Sequence, residues 1–143
     1  MASGDQLQLE ILDHSEDDIA FAISVQSQWE VVTGLVQNTK ERVTPETDQW
    51  TVTENGVYLL MWNVSGTAAN DGDIFEFAFF RDAALIVKLR RARKFSNVDA
   101  GNFGVTLPIR LSAGETVSLK GRNISSTGDF TLTDVGWGIV RIS

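Results

Sequence analysis

Along most of this chain apolar and polar positions alternate with a period of two, while the 3.6-residue period of an amphipathic helix is weak throughout. From residue 19, Ile19, Phe21, Ile23 and Val25 alternate with Ala20, Ala22, Ser24 and Gln26, the pattern of a strand buried on one side. Residues 29–33 continue that strand or pair with it. Residues 34–49 are polar, contain Pro45 and read as a long loop. A loop of that length inside a compact domain points to function or to a short strand the pattern hides. Asn55-Gly56, a dipeptide that permits positive φ, opens a strand over 57–64. A turn cluster ending in Asn70-Asp71-Gly72 leads to a second over 73–81, after which Leu85, Val87 and Leu89 alternate with Ala84, Ile86 and Lys88. Phe103, Val105, Leu107, Ile109 and Leu111 form the next strand; Pro108 has no N–H to give a ladder, so this strand is expected at an edge or bulged. Ser112-Ala113-Gly114 turns into a strand carrying Val117 and Leu119, and residues 130–142 close the chain. Strands so punctuated by Gly, Asn and Asp predict an all-β sandwich or barrel. There is no internal repeat, low-complexity tract or linker, so one domain is expected over 19–143, preceded by an arm over 1–18.

Two strands are apolar on both sides. In 57–64 one side carries Val57, Leu59 and Met61, and the other Tyr58, Leu60, Trp62 and Val64. In 74–80 one side carries Phe75, Phe77 and Phe79, and the other Ile74, Ala78 and Phe80 around Glu76. The odd-numbered sides are assigned to the core. Soluble monomers seldom leave so large an apolar face in water. Either the 34–49 loop or the N-terminal arm covers the second side, or another copy of the chain does; Trp and Tyr, enriched at interfaces, tilt the expectation toward a second copy.

Charge sharpens this picture. The net charge is −7, and residues 1–18 contribute Asp5, Glu10, Asp13, Glu16, Asp17 and Asp18 with no Lys or Arg. The rest of the chain is nearly neutral, and a body without excess positive charge argues against general nucleic-acid binding. Five of the 12 cations fall in one run, Lys88, Arg90, Arg91, Arg93 and Lys94. That run reads as a solvated strand end, or as a docking patch for an acidic surface such as the arm of a neighbouring copy. With 143 residues, 43% of them hydrophobic, the chain can bury a core without staples, and it has no cysteine for disulfides or thiolate metal sites. No stretch approaches the ~20 apolar residues that span a bilayer, and no secretory signal opens the chain, so no membrane partner is expected and synthesis in a cytoplasm is.

Candidate catalytic chemistry is sparse. A triad or general-base mechanism needs a positioned His or carboxylate beside a nucleophile. The single histidine, His14, lies in the acidic arm and reads as structural or solvated; a lone histidine also disfavours a cupin-like metalloenzyme, whose site wants several. Asn70-Asp71-Gly72-Asp73 offers oxygen ligands of the kind calcium takes, but four turn-forming residues are better read as a turn. Asn63-Val64-Ser65 and Asn123-Ile124-Ser125 match a glycosylation sequon that means little without a signal peptide. No enzyme activity, metal or cofactor is expected.

Gly56-Val57-Tyr58, and Leu111-Ser112-Ala113-Gly114-Glu115-Thr116-Val117-Ser118-Leu119 further on, resemble the complement globular-head and tumour-necrosis-factor-like jelly rolls. There a Gly-x-Tyr opens a buried strand after a turn, and a Leu-x-x-Gly-Asp-x-Val-x-Leu unit turns into another. Asn123, then Asp129-Phe130-Thr131-Leu132 and a final apolar strand, are similar too. The likeness covers roughly residues 50–143; Glu115 stands where the family has Asp, and no collagen-like stalk is present. The resemblance implies an antiparallel jelly-roll β-sandwich that forms a tight homotrimer through an apolar, aromatic face. On that basis Tyr58, Leu60, Trp62, Ile74 and Phe80 are expected at the threefold contact. Short domains of this kind look most like virion proteins of tailed bacteriophages. The leading expectation is a capsid decoration protein that binds the major capsid protein at the virion surface, with Leu7, Leu9 and Ile11 of the arm adding a strand to it and Arg90, Arg91, Arg93 and Lys94 as a possible contact patch. The alternative is a receptor- or glycan-binding head of a fibre or tail protein, recognising its target through loops 66–72, 96–102 and 124–129.

Overall fold

A computed structural model describes residues 9–15, 17–38, 43–46 and 49–143. These form two antiparallel sheets packed face to face, a jelly-roll sandwich without an α-helix among the described residues. The strands are β1 (Leu9–His14), β2 (Ile19–Phe21), β3 (Glu30–Val31), β4 (Val36–Asn38), β5 (Val43–Glu46), β6 (Gln49–Val52), β7 (Gly56–Ala68), β8 (Ile74–Arg81), β9 (Ala84–Leu85), β10 (Arg91–Lys94), β11 (Gly101–Leu111), β12 (Thr116–Asn123) and β13 (Phe130–Arg141). Sheet A runs β11-β7-β13-β1-β4, with β2 following β1 along β13; sheet B runs β10-β8-β12-β6-β5, with β3 and β9 as short additions on β12 and β8. The chain changes sheets between β7 and β8, β10 and β11, β11 and β12, and β12 and β13, so consecutive long strands face each other across the core.

The stretch expected as one loop over 34–49 contains β4, β5 and part of β6, strands too short for alternation to reveal. The run Leu85, Val87, Leu89 is not a strand beyond Leu85. Val87–Leu89 is one 3₁₀ turn that buries Ile86 and Leu89 and leaves Val87 63% exposed. The strand expected from Ile19 to Val25 ends at Phe21; Ile23 stays buried and Val25 is in solvent. Pro108 sits on β11, the edge of sheet A, paired with β7 alone, as its missing N–H requires. Gly72 and Gly114 take positive φ in the β7–β8 and β11–β12 turns, whereas Gly56 opens β7 without it.

Phe75, Phe77 and Phe79 point inward from β8 as expected, each fully buried. Phe75 lies 4.7 Å from Phe130, Phe130 4.7 Å from Phe95, and Phe79 4.9 Å from Trp137, distances at which tilted and edge-on rings attract beyond the area they bury. On β12, Gly121 stands opposite Phe77 in register, and a Cβ there would meet that ring at 2.5 Å; the absent side chain makes room for the aromatic layer.

The acidic segment is not an appendage over its described length. From Leu9 it forms β1, with Leu9 against Val140 and Ile11 against Ile139 on one side and residues 12–14 against β4 on the other. The boundary expected at residue 18 therefore falls within sheet A. Leu7 lies outside the described residues.

Candidate functional site

Parity along β7 decides what the sandwich offers to partners. Even-numbered Tyr58, Leu60, Trp62 and Val64 stand in register with the inward residues of both neighbours: Leu60 is flanked by Leu107 and Ile139, Trp62 by Val105 and Trp137. Tyr58 and Leu60 are fully buried and Trp62 is 2% exposed. The two polar handles are satisfied inside the chain, Tyr58 Oη donating to Glu54 O at 2.8 Å and Trp62 Nε1 to Leu89 O at 2.8 Å. Tyr58, Leu60 and Trp62, expected at a threefold contact, thus build the core, and the odd-numbered side of β7 faces out. Both sides of 57–64 are apolar, so alternation alone could not rank them. Tyr and Trp are enriched at interfaces, but here both find hydrogen-bond partners inside the chain and are core residues.

Phe80 does lie on the outer side of β8, but Trp29 of the same chain covers it, ring edge to face at 5.2 Å. Ile74 is half-buried where β8 begins, its N–H donating to Ser125 Oγ at 2.9 Å. The second apolar side of β8 is thereby closed by the protein's own chain. Around it sits a charged layer that sequence reasoning did not single out. Glu76 Oε1 accepts from Arg122 Nε at 2.7 Å and lies 2.6 Å from Arg122 Nη2; Arg122 stacks 4.4 Å over Trp29, and Lys120 4.5 Å over Phe80. Glu76 at the centre of an aromatic strand was the available signal.

The outer side of sheet A is different. On its two central strands, residues 57, 59 and 61 of β7 and 136, 138 and 140 of β13 are Val, Leu, Met, Gly, Gly and Val, with no charge among them. Leu59 and Met61 are half-buried, and Val140 is buried. Gly138 pairs with Met61 on one side and residue 12 on the other; Gly136 pairs with Asn63 and His14. Two glycines side by side in this pattern leave bare backbone as the floor of a cavity of about 330 Å³, walled by Met61, Asn63 and Thr106.

At one end of the sandwich the structure brings together the three loops expected to carry recognition. Ala69 N donates to Asp129 O and Ala68 N to Ser96 O, both at 2.9 Å; Asn70 Nδ2 reaches Ser126 Oγ at 3.2 Å and Asn97 N reaches Asp71 Oδ1 at 3.2 Å. A buried polar knot holds them. Asn123, fully buried, donates from Nδ2 to Asp73 Oδ2 at 2.8 Å and Gly128 O at 2.9 Å, and its Oδ1 accepts from the N–H groups of Ser125 and Ser126. Ser126 Oγ adds a 2.7 Å bond to the same carboxylate oxygen of Asp73. In the Asn70–Asp73 turn, Asp73 Oδ2 and Asp71 Oδ1 thus take internal donors. Among the described residues no group of three or more His, Asp and Glu is placed to hold a metal ion.

The basic run forms the third surface. Arg91, Arg93 and Lys94 lie on β10, the edge of sheet B, and all are exposed. Arg91 donates to the carbonyls of Lys88 and Arg90, and Arg93 to that of Asn102 while lying 5.6 Å from the Phe95 ring. Arg90 approaches Glu76 at 3.6 Å. Phe95, the one aromatic beside the run, is buried in the core.

No family model matches this chain, and no curated protein does. Solved structures do match. The Eiger TNF of S. frugiperda superposes with a TM-score of 0.68 at 13% identity, over 94% of this chain and 93% of that one. Murine APRIL, in a crystal structure at pH 5.0, gives 0.60 at 15% identity, over 94% of this chain and all of that one. The fold of this protein is that of the tumour-necrosis-factor-like jelly rolls.

Proposed function

We propose that this protein is a non-catalytic assembly module: a homotrimer whose copies meet through the outer side of sheet A and present the loop end to a partner. The observation that carries the reading is the uncharged centre of sheet A. An antiparallel sheet with one side in water ordinarily turns polar residues outward, as sheet B does with Glu76, Lys120 and Arg122. Sheet A instead turns out the half-buried Val57, Leu59 and Met61 beside a glycine-floored cavity, a surface suited to a second copy's side chains. The number three comes from the resemblance to TNF-like jelly rolls. The test is a double variant, Leu59→Glu with Met61→Glu, compared with wild type by sedimentation and circular dichroism. The reading expects a wild type that assembles and a variant that stays folded but is monomeric. A variant assembled as fully as wild type would sink it.

The virion surface, with the major capsid protein as partner, is the narrower form of this proposal and rests on the sequence resemblance. Its docking element changes. Leu9 and Ile11 lie on β1, which pairs with β13, so their strand is committed to sheet A, and capsid contact falls to the loop end or the basic edge instead. Co-sedimentation with purified capsids tests it, and absence of the protein from the capsid fraction counts against it. The receptor- or glycan-binding head gains one specific observation, the convergence of loops 66–72, 96–102 and 124–129 on a rigid knot. Rigid presentation reduces the ordering cost of binding.

A further inference from the structure

Strands β8 and β11 both start at the loop end, and near where they finish a cavity of about 340 Å³ takes residues from each. Three cations line it from three elements: Arg81 closes β8, Lys88 sits in the 3₁₀ turn and Arg110 is next to last on β11. Among the described residues no Asp or Glu lines it, in a chain whose net charge is −7. The acids beside Arg81 take other donors. Glu115 comes within 3.6 Å of Arg81 but accepts from Ser112 N–H at 2.6 Å. Asp82, at positive φ in the β8–β9 turn, accepts from Thr116 N–H at 2.9 Å and Thr116 Oγ1 at 3.1 Å. Arg81 itself is held in place by donating from Nη1 to Arg110 O at 3.1 Å, a bond that ties the end of β8 to β11. The exposed side chains of Lys88 and Arg110 have no partner among the described residues. Carbon completes the walls: Val87, 63% exposed, with Pro108 and Ile109.

We propose that this cavity binds a small organic phosphate monoester, the phosphate among Arg81, Lys88 and Arg110 and the organic group against Val87 and Pro108. A concavity lined by one sign of charge focuses its field and concentrates the opposite ion. A carboxylate brings one charge and two oxygens in a plane. A phosphate monoester brings close to two charges at pH 7 and three terminal oxygens, which matches three cations arriving on three elements. The volume is that of a small-molecule site, and apolar walls with a few convergent polar groups are what such sites ordinarily offer. Every wall belongs to one chain, so the site stands apart from the assembly reading.

The experiment is an NMR titration of the full chain with phenyl phosphate at low salt, following the backbone amides of residues 81–88 and 109–110. Arg81 stays in place, because it also joins β8 to β11. The test variant is Lys88→Gln with Arg110→Gln, and the control is Arg91→Gln with Lys94→Gln, exposed cations outside the cavity. Both are expected to keep the urea midpoint of wild type. Loss of two cations is expected to weaken binding about tenfold in the test variant, with the control close to wild type. Phenyl phosphate that shifts no amide at the cavity, or that binds the test variant as well as wild type, overturns the site. Equal weakening in the control shows attraction to surface charge at large and overturns it too. Benzoate bound as tightly as phenyl phosphate overturns the dianion, and inorganic phosphate bound as tightly overturns the organic group.

Discussion

Neighbouring side chains on β7 have opposite duties. Leu60 is fully buried between Leu107 and Ile139, so Leu60→Ala is expected to lower stability by about 2–5 kcal/mol through lost burial and an unfilled cavity. Leu59 is on the outer side, and the same truncation there is expected to leave the urea midpoint of the isolated chain nearly unchanged. Equal losses at both positions would contradict the assigned faces. At the loop end, Asn123→Ala deletes the buried amide and leaves Asp73 Oδ2, Gly128 O and the N–H groups of Ser125 and Ser126 without it, with a cost of about 2–4 kcal/mol read as a lower denaturation midpoint. None of this was visible in the residues alone. In the sequence Asn123 is part of a sequon and of the jelly-roll resemblance, and only the approach of the 66–73 and 124–129 segments makes it the centre of a knot.

Whole elements show where sequence patterning carries information and where it fails. Long strands with one polar side, such as β11, were legible because the period of two persists over 11 residues. Pro108 even placed that strand at an edge. Strands of two to four residues, such as β3 to β6, are shorter than any repeat that alternation can display, and tertiary pairing alone makes them strands. The 3₁₀ turn at Val87–Leu89 defeats the pattern differently, since the spacing of Leu85 and Leu89 suits a strand but Ile86 and Leu89 are the residues that reach the core. Charge alone marks residues 1–18 as an arm, but the backbone pairing of residues 9–14 with β13 makes that part of it a sheet member. Removing residues 1–14 is therefore expected to uncover the β13 edge. Thermal unfolding should shift downward and aggregation rise, because an open central edge recruits other strands. A truncated chain as stable and soluble as the full one would contradict the position of β1.

For the molecule as a whole, the two sheets divide the work. Sheet B closes its outer side with its own Trp29 and a charged layer and carries a basic edge on β10, while sheet A leaves an uncharged centre. Fold class and the jelly-roll likeness were readable from strand punctuation and two motifs. The orientation of β7 was not, since it depends on which of two apolar sides meets sheet B. The central claim is that this outer side of sheet A seats further copies of the chain. Sedimentation equilibrium of the wild-type protein tests it most directly: the account predicts a mass three times the 15.7 kDa chain, and a mass of 15.7 kDa at all concentrations would contradict it.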